Sequence, residues 1–358
     1  MIKKLLVTAV LATVMAPTMA AWDLWDEFRV NAVENGRVID RSDSRKVTTS
    51  EGQSYAMFFA LVANDRASFD GLVTWTADNL SGGDLTKTLP SWLWGQERGD
   101  KWGILDTNNA PDSDMWIAWC FLEAGRLWKD PEYTKKGLAM MELLKKEVRV
   151  VDNLGAVVLP GRVGFEDNGI VKLNPSYYPL FIFKRFALED PYWNDVYDGS
   201  LRMLLRSAPA GIAPDWALFD KNGRLVPPDG VDYEIGSYNA IRTYLWAGMM
   251  SPDDPNRRRL LKHFEPMVEA TKALNMPPEK IHTVNLKVND TGPFGFGACL
   301  MPMLGNDRTA GLIRSVVVSE PLTGDSYYSS VLAMYGRGWD TGRFAFDRDG
   351  RLIFPKGW

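Results

Sequence analysis

A chain of 358 residues, 46% hydrophobic, with a net charge of −4, can bury one large core and carries no basic excess for holding nucleic acid. Its only histidines, His263 and His282, are too few for a histidine-rich metal centre and argue against a Ser-His-Asp site. Neither a metal nor a cofactor is expected, and the two cysteines, Cys120 and Cys299, sit in apolar runs that suit buried free thiols, although an oxidising compartment would also allow a disulfide.

The chain opens with the pattern of an export leader, residues 1–20. Lys3 and Lys4 precede an apolar run over 5–16 that is too short to span a bilayer, and Pro17-Thr18-Met19-Ala20 supplies small residues at the cleavage positions. No cysteine follows the run, so no lipid anchor is expected, and no later stretch reads as a membrane helix. The expected product is one domain, residues 21–358, periplasmic or secreted. Core packing should absorb more than half of the fourteen tryptophans. The remainder suit sugar rings, whose C–H faces stack on indole.

Beyond the leader, two kinds of helix alternate. Amphipathic segments are expected at 22–34, 67–80, 132–147, 193–207, 256–275 and 307–319. Segments apolar almost all round are expected at 51–63, 114–128, 177–188, 238–250, 294–304 and 326–336, the fifth blurred by glycines and Pro293. A helix apolar on every side must be buried, and an amphipathic one can cover it. Six such pairs in strict order make an all-α (α/α)6 barrel, six inner helices sheathed by six outer ones. Loops entering the inner helices, such as 81–113, 148–176 and 208–237, are long, and those leaving them are short. The site therefore belongs at the end where the long loops gather. Residues 148–158 and 343–354 read as strand hairpins.

The inner helices open on polar or aromatic residues. Thr48-Thr49-Ser50-Glu51-Gly52-Gln53-Ser54-Tyr55 leads into Tyr55, Phe58, Phe59 and Val62, a buried helical face, so Glu51 heads a core helix. A carboxyl partly desolvated there suits a general acid, although the helix dipole alone also favours Glu at that place. Asp112 and Asp114 head the second inner helix. Asp112 would serve equally as a cap, whereas Asp114 is expected to point into the mouth. Asn174-Pro175-Ser176-Tyr177, Ser237-Tyr238-Asn239-Ala240-Ile241-Arg242 and Asp325-Ser326-Tyr327-Tyr328 open three more. Carboxylates and aromatics without a metal signature suggest glycoside chemistry, in which two carboxyl groups flank the scissile bond.

In order and spacing these motifs resemble glycoside hydrolase family 8, and within it the members encoded beside bacterial cellulose synthases. The resemblance runs from about Trp22 to the end. It implies inverting hydrolysis of β-1,4-glucan (cellulose and cello-oligosaccharides) and a partnership with the cellulose export machinery. The general acid falls on Glu51. The Asp pair falls on Asp112, an active-site residue, and Asp114, in a region that grips the sugar. Gln53, Trp102, Tyr177, Tyr238 and Arg242 fall on substrate-binding or helper positions. Pro111 and Ser113 depart from the family's pattern around the Asp pair. Asn239 departs more seriously, because those members carry there the Asp that activates water, and an amide cannot take up a proton as a carboxylate does. Asp232 and Glu234 are nearby candidates for another base. A glucan-binding protein without turnover, or a hydrolase of chitosan or xylan, are the alternative readings.

Overall fold

The computed structural model describes residues 22–99, 101–227 and 234–357, so the expected leader lies outside the described residues. The helices are α1 (Asp23–Ala32), α2 (Ser50–Val62), α3 (Arg66–Leu80), α4 (Pro111–Leu127), α5 (Pro131–Leu144), α6 (Leu180–Ala187), α7 (Tyr192–Ser207), α8 (Ile241–Met249), α9 (Arg257–His263), α10 (Glu265–Leu274), α11 (Phe294–Leu300), α12 (Arg308–Ser319) and α13 (Tyr327–Asp340). The inner ring runs α2, α4, α6, α8, α11 and α13. Backbone neighbours join α2 to α4, α4 to α6, α8 to α11, α11 to α13 and α13 back to α2, and the Phe181–Trp246 ring contact joins α6 to α8. The outer helices are α1, α3, α5, α7, the pair α9–α10, and α12. The fold is an (α/α)6 barrel.

Differences from the expected boundaries have local causes. The outer helix expected over 256–275 is two helices, because Pro266 has no N–H to donate to the preceding turn. The third inner helix starts at Leu180, not at 177. Pro179 keeps Tyr178 out of helical geometry (φ −122°, ψ 66°), and a short 3-10 turn, Pro175–Tyr177, stands in front. The fourth starts at Ile241, so Tyr238 and Asn239 lie in the approach turn. The glycines that blur α11 allow close packing. A Cβ on Gly336 of α13 would meet the Ala298 carbonyl oxygen at 2.3 Å, and one on Gly295 would meet Ser329 Cα at 2.6 Å.

Aromatic rings from the inner helices fill the barrel axis. Trp116 meets Trp246 at 5.4 Å, Tyr335 meets Tyr55 at 5.2 Å, and Phe181 stacks on Phe346 at 4.0 Å. Phe346 belongs to the C-terminal hairpin Ala345–Phe346/Leu352–Ile353, which forms within the expected stretch 343–354 and closes the far end of the axis. Trp119 Nε1 donates to Gly350 O (2.9 Å), and buried Glu123 accepts from Arg185 Nε (2.6 Å) and Leu352 N (2.8 Å). Trp22, Trp25, Trp116, Trp119, Trp193 and Trp246 are buried, and Trp128 and Trp339 pack against the core. That accounts for more than half of the tryptophans. Cys120 and Cys299 are buried and unpaired. Because Trp116 touches rings of four other inner helices, Trp116→Ala is expected to cost about 3–5 kcal/mol in urea unfolding, while Leu312→Ala on the exposed face of α12 should change little.

The long entry loops carry small antiparallel sheets. Thr48–Thr49 pairs with Leu93–Gln96, which pairs with Trp102–Asp106. The expected hairpin over 148–158 forms as Val148–Val151/Gly155–Val158. Ala217–Asp220 pairs with Ile170–Leu173 on one side and Leu225–Val226 on the other, tying two entry loops together. These sheets fix loops that would otherwise leave the mouth of the barrel undefined.

Candidate active site

The entry ends of α2, α4 and α8 and the Pro175–Tyr177 turn converge on a pocket of about 190 Å³. Its polar wall is Glu51, Asp112, Asn239 and Arg242, with Tyr177 and Trp92 as its aromatic faces. Glu51 is the only residue of α2 that is not buried; its side chain is 22% exposed. Thr49 caps that helix, its hydroxyl accepting from Gly52 N at 3.0 Å, so Glu51 is released from capping and faces the pocket. Asp112 does not cap α4 either. The cap residue is Ala110, followed by Pro111 at a position that needs no N–H. Asp112 is 4% exposed, and burial pushes its carboxyl up to about 7, helped by the charge of Glu51 and opposed by Arg242. A carboxyl poised there can either donate to or accept from a sugar hydroxyl near neutral pH.

Arg242, 3% exposed, ties the wall together. Its Nη1 donates to Glu51 and to the Tyr55 hydroxyl (3.1 Å) and lies 3.8 Å from Asp112 Oδ2. Its Nη2 donates to Asn239 Oδ1 at 3.3 Å. Asn174 Nδ2 donates to the same oxygen at 3.1 Å. The backbone around Asn239 is held from behind. One oxygen of Asp215 accepts from the N–H groups of Ser237 (2.9 Å), Asn239 (3.0 Å) and Ala240 (2.7 Å), the free donors ahead of α8. No sequence signal marks Asp215, since its partners are backbone groups more than twenty residues away.

Two expected site residues stand elsewhere. Gln53 is fully buried; it accepts from Val38 N (2.7 Å) and donates to Gly36 O (3.0 Å) and Thr76 Oγ1 (2.9 Å), fastening α2 to the hairpin Val33–Glu34/Arg37–Val38 and to α3. Asp114 is fully buried too, accepting from Asn109 Nδ2 at 3.1 Å, and burial holds its carboxyl well above the usual range. The reason is common to both. Each lies two residues beyond the pocket carboxyl of its own helix, and residues i and i+2 of a helix do not face the same way. The mouth receives Glu51 and Asp112, and the scaffold receives Gln53 and Asp114.

The remaining expected residues lie on the rim. Trp102 is 45% exposed and stacks on Trp94 (5.3 Å, 25°), with the Arg37 guanidinium over both rings at 5.0 and 4.4 Å. It stands on the sheet that continues from Thr49, beside the pocket and not within its wall. Tyr238 is 44% exposed, packs edge-on against Phe296 at 5.0 Å, and donates to Glu279 Oε1 at 3.2 Å. Glu234 lies 3.1 Å from His282 Nε2 and lines a different, largely apolar pocket with Trp216 and Leu218. Asp232 lies outside the described residues. Among the described residues, no group of His, Cys, Asp or Glu is arranged to hold a metal, and no helix is long and apolar enough to cross a membrane.

A helical barrel with two carboxyl groups, an arginine and aromatics at one mouth defines a class that comparison with known proteins makes specific. The model of glycosyl hydrolases family 8 matches residues 2–342, and the chain belongs to that family. It is 42% identical over 347 residues to an endoglucanase of Escherichia coli O157:H7, covering 96% of this chain and 94% of that one. It is 40% identical to an endoglucanase of Xanthomonas axonopodis pv. citri, covering 96% and 91%. The crystal structure of an endo-1,4-D-glucanase from Vibrio fischeri ES114 superposes with a TM-score of 0.89 at 40% identity, over 93% of this chain and 99% of that one.

Proposed function

We propose that this chain is an endo-β-1,4-glucanase by descent that grips cellulose chains at the barrel mouth and turns them over slowly. Glu51 is the proton donor to the glycosidic oxygen, and Asp112 and Arg242 hold the sugar at the cleavage point. Water attacks the anomeric carbon from the opposite face, as inversion requires, and must surrender a proton as the new C–O bond forms. The single observation that carries the reading is the state of Asn239. The family resemblance assigns the base to this position; here the side chain is bridged to Glu51 through one guanidinium, and its amide has no basicity to offer. The sequence leader and the resemblance to family members encoded beside cellulose synthases support action outside the cytoplasm, on glucan passing through the export machinery.

Binding tests the substrate class independently of turnover. Cellohexaose is expected to bind, and Trp102→Ala should weaken it by about 1–2 kcal/mol in calorimetry without changing the melting temperature. Equal affinity in the two proteins would remove Trp102 from the glucan track, and tighter binding of chitosan or xylan oligosaccharides than of cellohexaose would reassign the substrate.

A further inference from the structure

Asn174 stands 65 residues before Asn239 and is fully buried. Its Oδ1 is committed, accepting from Ser176 N (3.0 Å) and Ser176 Oγ (2.8 Å) at the head of the Pro175–Tyr177 turn. That turn is pinned from below by Trp246 Nε1, which donates to Ser176 O at 2.9 Å. Only the amide nitrogen of Asn174 is left to face residue 239. Arg242, the other neighbour of the Asn239 side chain, can only donate. Two fixed donors therefore select the oxygen of Asn239 and turn its amide nitrogen away from them. Residue 239 thus meets the pocket with a donor where hydrolysis needs an acceptor for the water's proton.

We infer that Asn174 is a positioning residue for residue 239: its amide nitrogen decides which atom of that side chain faces the pocket. Where residue 239 is Asp, the same nitrogen holds one carboxylate oxygen and leaves the other free for water. The inference rests on the reading of position 239 as the base position. A hydrogen bond donated to a carboxylate favours its charged form, so Asn174 keeps a base at 239 ionised in mildly acidic solution. Among the described residues, the other charged or titratable groups around that position are Arg242, Glu51 and Asp112 in the wall, Asp215 behind the backbone, and the hydroxyls of Tyr177 and Tyr328.

The test compares Asn239→Asp with two double variants that add Asn174→Asp or Asn174→Ser to it. Asn174→Asp keeps the oxygen that Ser176 needs and replaces the donor by an acceptor. Asn174→Ser keeps a hydroxyl able to cap the turn and removes the amide N–H that reaches residue 239. The acid limb of the kcat–pH profile should move up, by more than about one unit with Asp and less with Ser, so that with Asp kcat at pH 5 relative to pH 8 falls at least about twofold, and about tenfold where the midpoint reaches about 6. A uniform fall at every pH, with the limb unmoved, would make Asn174 a structural residue only and overturn the inference. If Asn239→Asp brings no gain in kcat, it is the base reading that fails. Titration of a 13C-labelled carboxyl introduced at position 239 in the same proteins still decides the role of Asn174, since an unchanged midpoint contradicts it without reference to turnover.

Discussion

Replacing Asn239 by Asp is expected to raise kcat on carboxymethylcellulose by about 10²–10⁴-fold, the usual worth of a general base. KM for the glucan should stay within a few-fold. Asn and Asp have nearly the same shape, and the donors already in place, Asn174 Nδ2 and Arg242 Nη2, suit a carboxylate oxygen at least as well as an amide one. The three N–H groups collected by Asp215 hold the backbone of residue 239 whichever side chain it carries. The substitution thus changes the chemistry available to water and leaves the walls that bind sugar unaltered. Steady-state rates and calorimetric affinities on the two proteins check both halves of the expectation.

Glu51→Gln, made in the Asn239→Asp protein, is expected to remove that gain and leave oligosaccharide binding intact. Gln fills the same space and accepts the Arg242 hydrogen bond, but it has no proton to give a departing sugar oxygen. Thr49, not residue 51, caps α2, so the helix start survives the change. Circular dichroism and melting temperature should be unchanged within error. Retained hydrolysis in the double variant would move the proton donor to Asp112, the other pocket carboxyl, whose burial keeps it protonated to about pH 7.

The barrel was legible because its two helix types differ in where their apolar residues fall, and all six inner helices and their outer covers lie where that alternation puts them. Two of the boundaries that moved did so at Pro179 and Pro266, where proline chemistry acts on the residues just before it, and the third, the start of α8 at Ile241, follows a turn whose N–H groups are taken by Asp215. Within the site, Glu51, Asp112, Tyr177, Asn239 and Arg242 meet around one pocket as their motifs suggest. Gln53 and Asp114 belong to the same motifs yet point elsewhere, because a motif lists neighbours in sequence and the helix turns alternate ones to opposite sides. Asp215 and the full role of Asn174 were not legible. Each acts across a loop whose path is set by small sheets, and a sequence without pairing information does not say which backbone groups a distant carboxylate will meet.

The most direct measurement is single-turnover hydrolysis of cellohexaose with protein in excess, run on this chain and on Asn239→Asp in the same buffer, with product formation followed by chromatography. Excess protein saturates the sugar, so the observed rate reports bond cleavage apart from affinity. Both proteins are expected to saturate at similar concentrations, with bound cellohexaose cleaved about 10²–10⁴-fold more slowly by the chain carrying Asn239. Equal single-turnover rates would contradict that expectation, since water would then be losing its proton to a group other than residue 239.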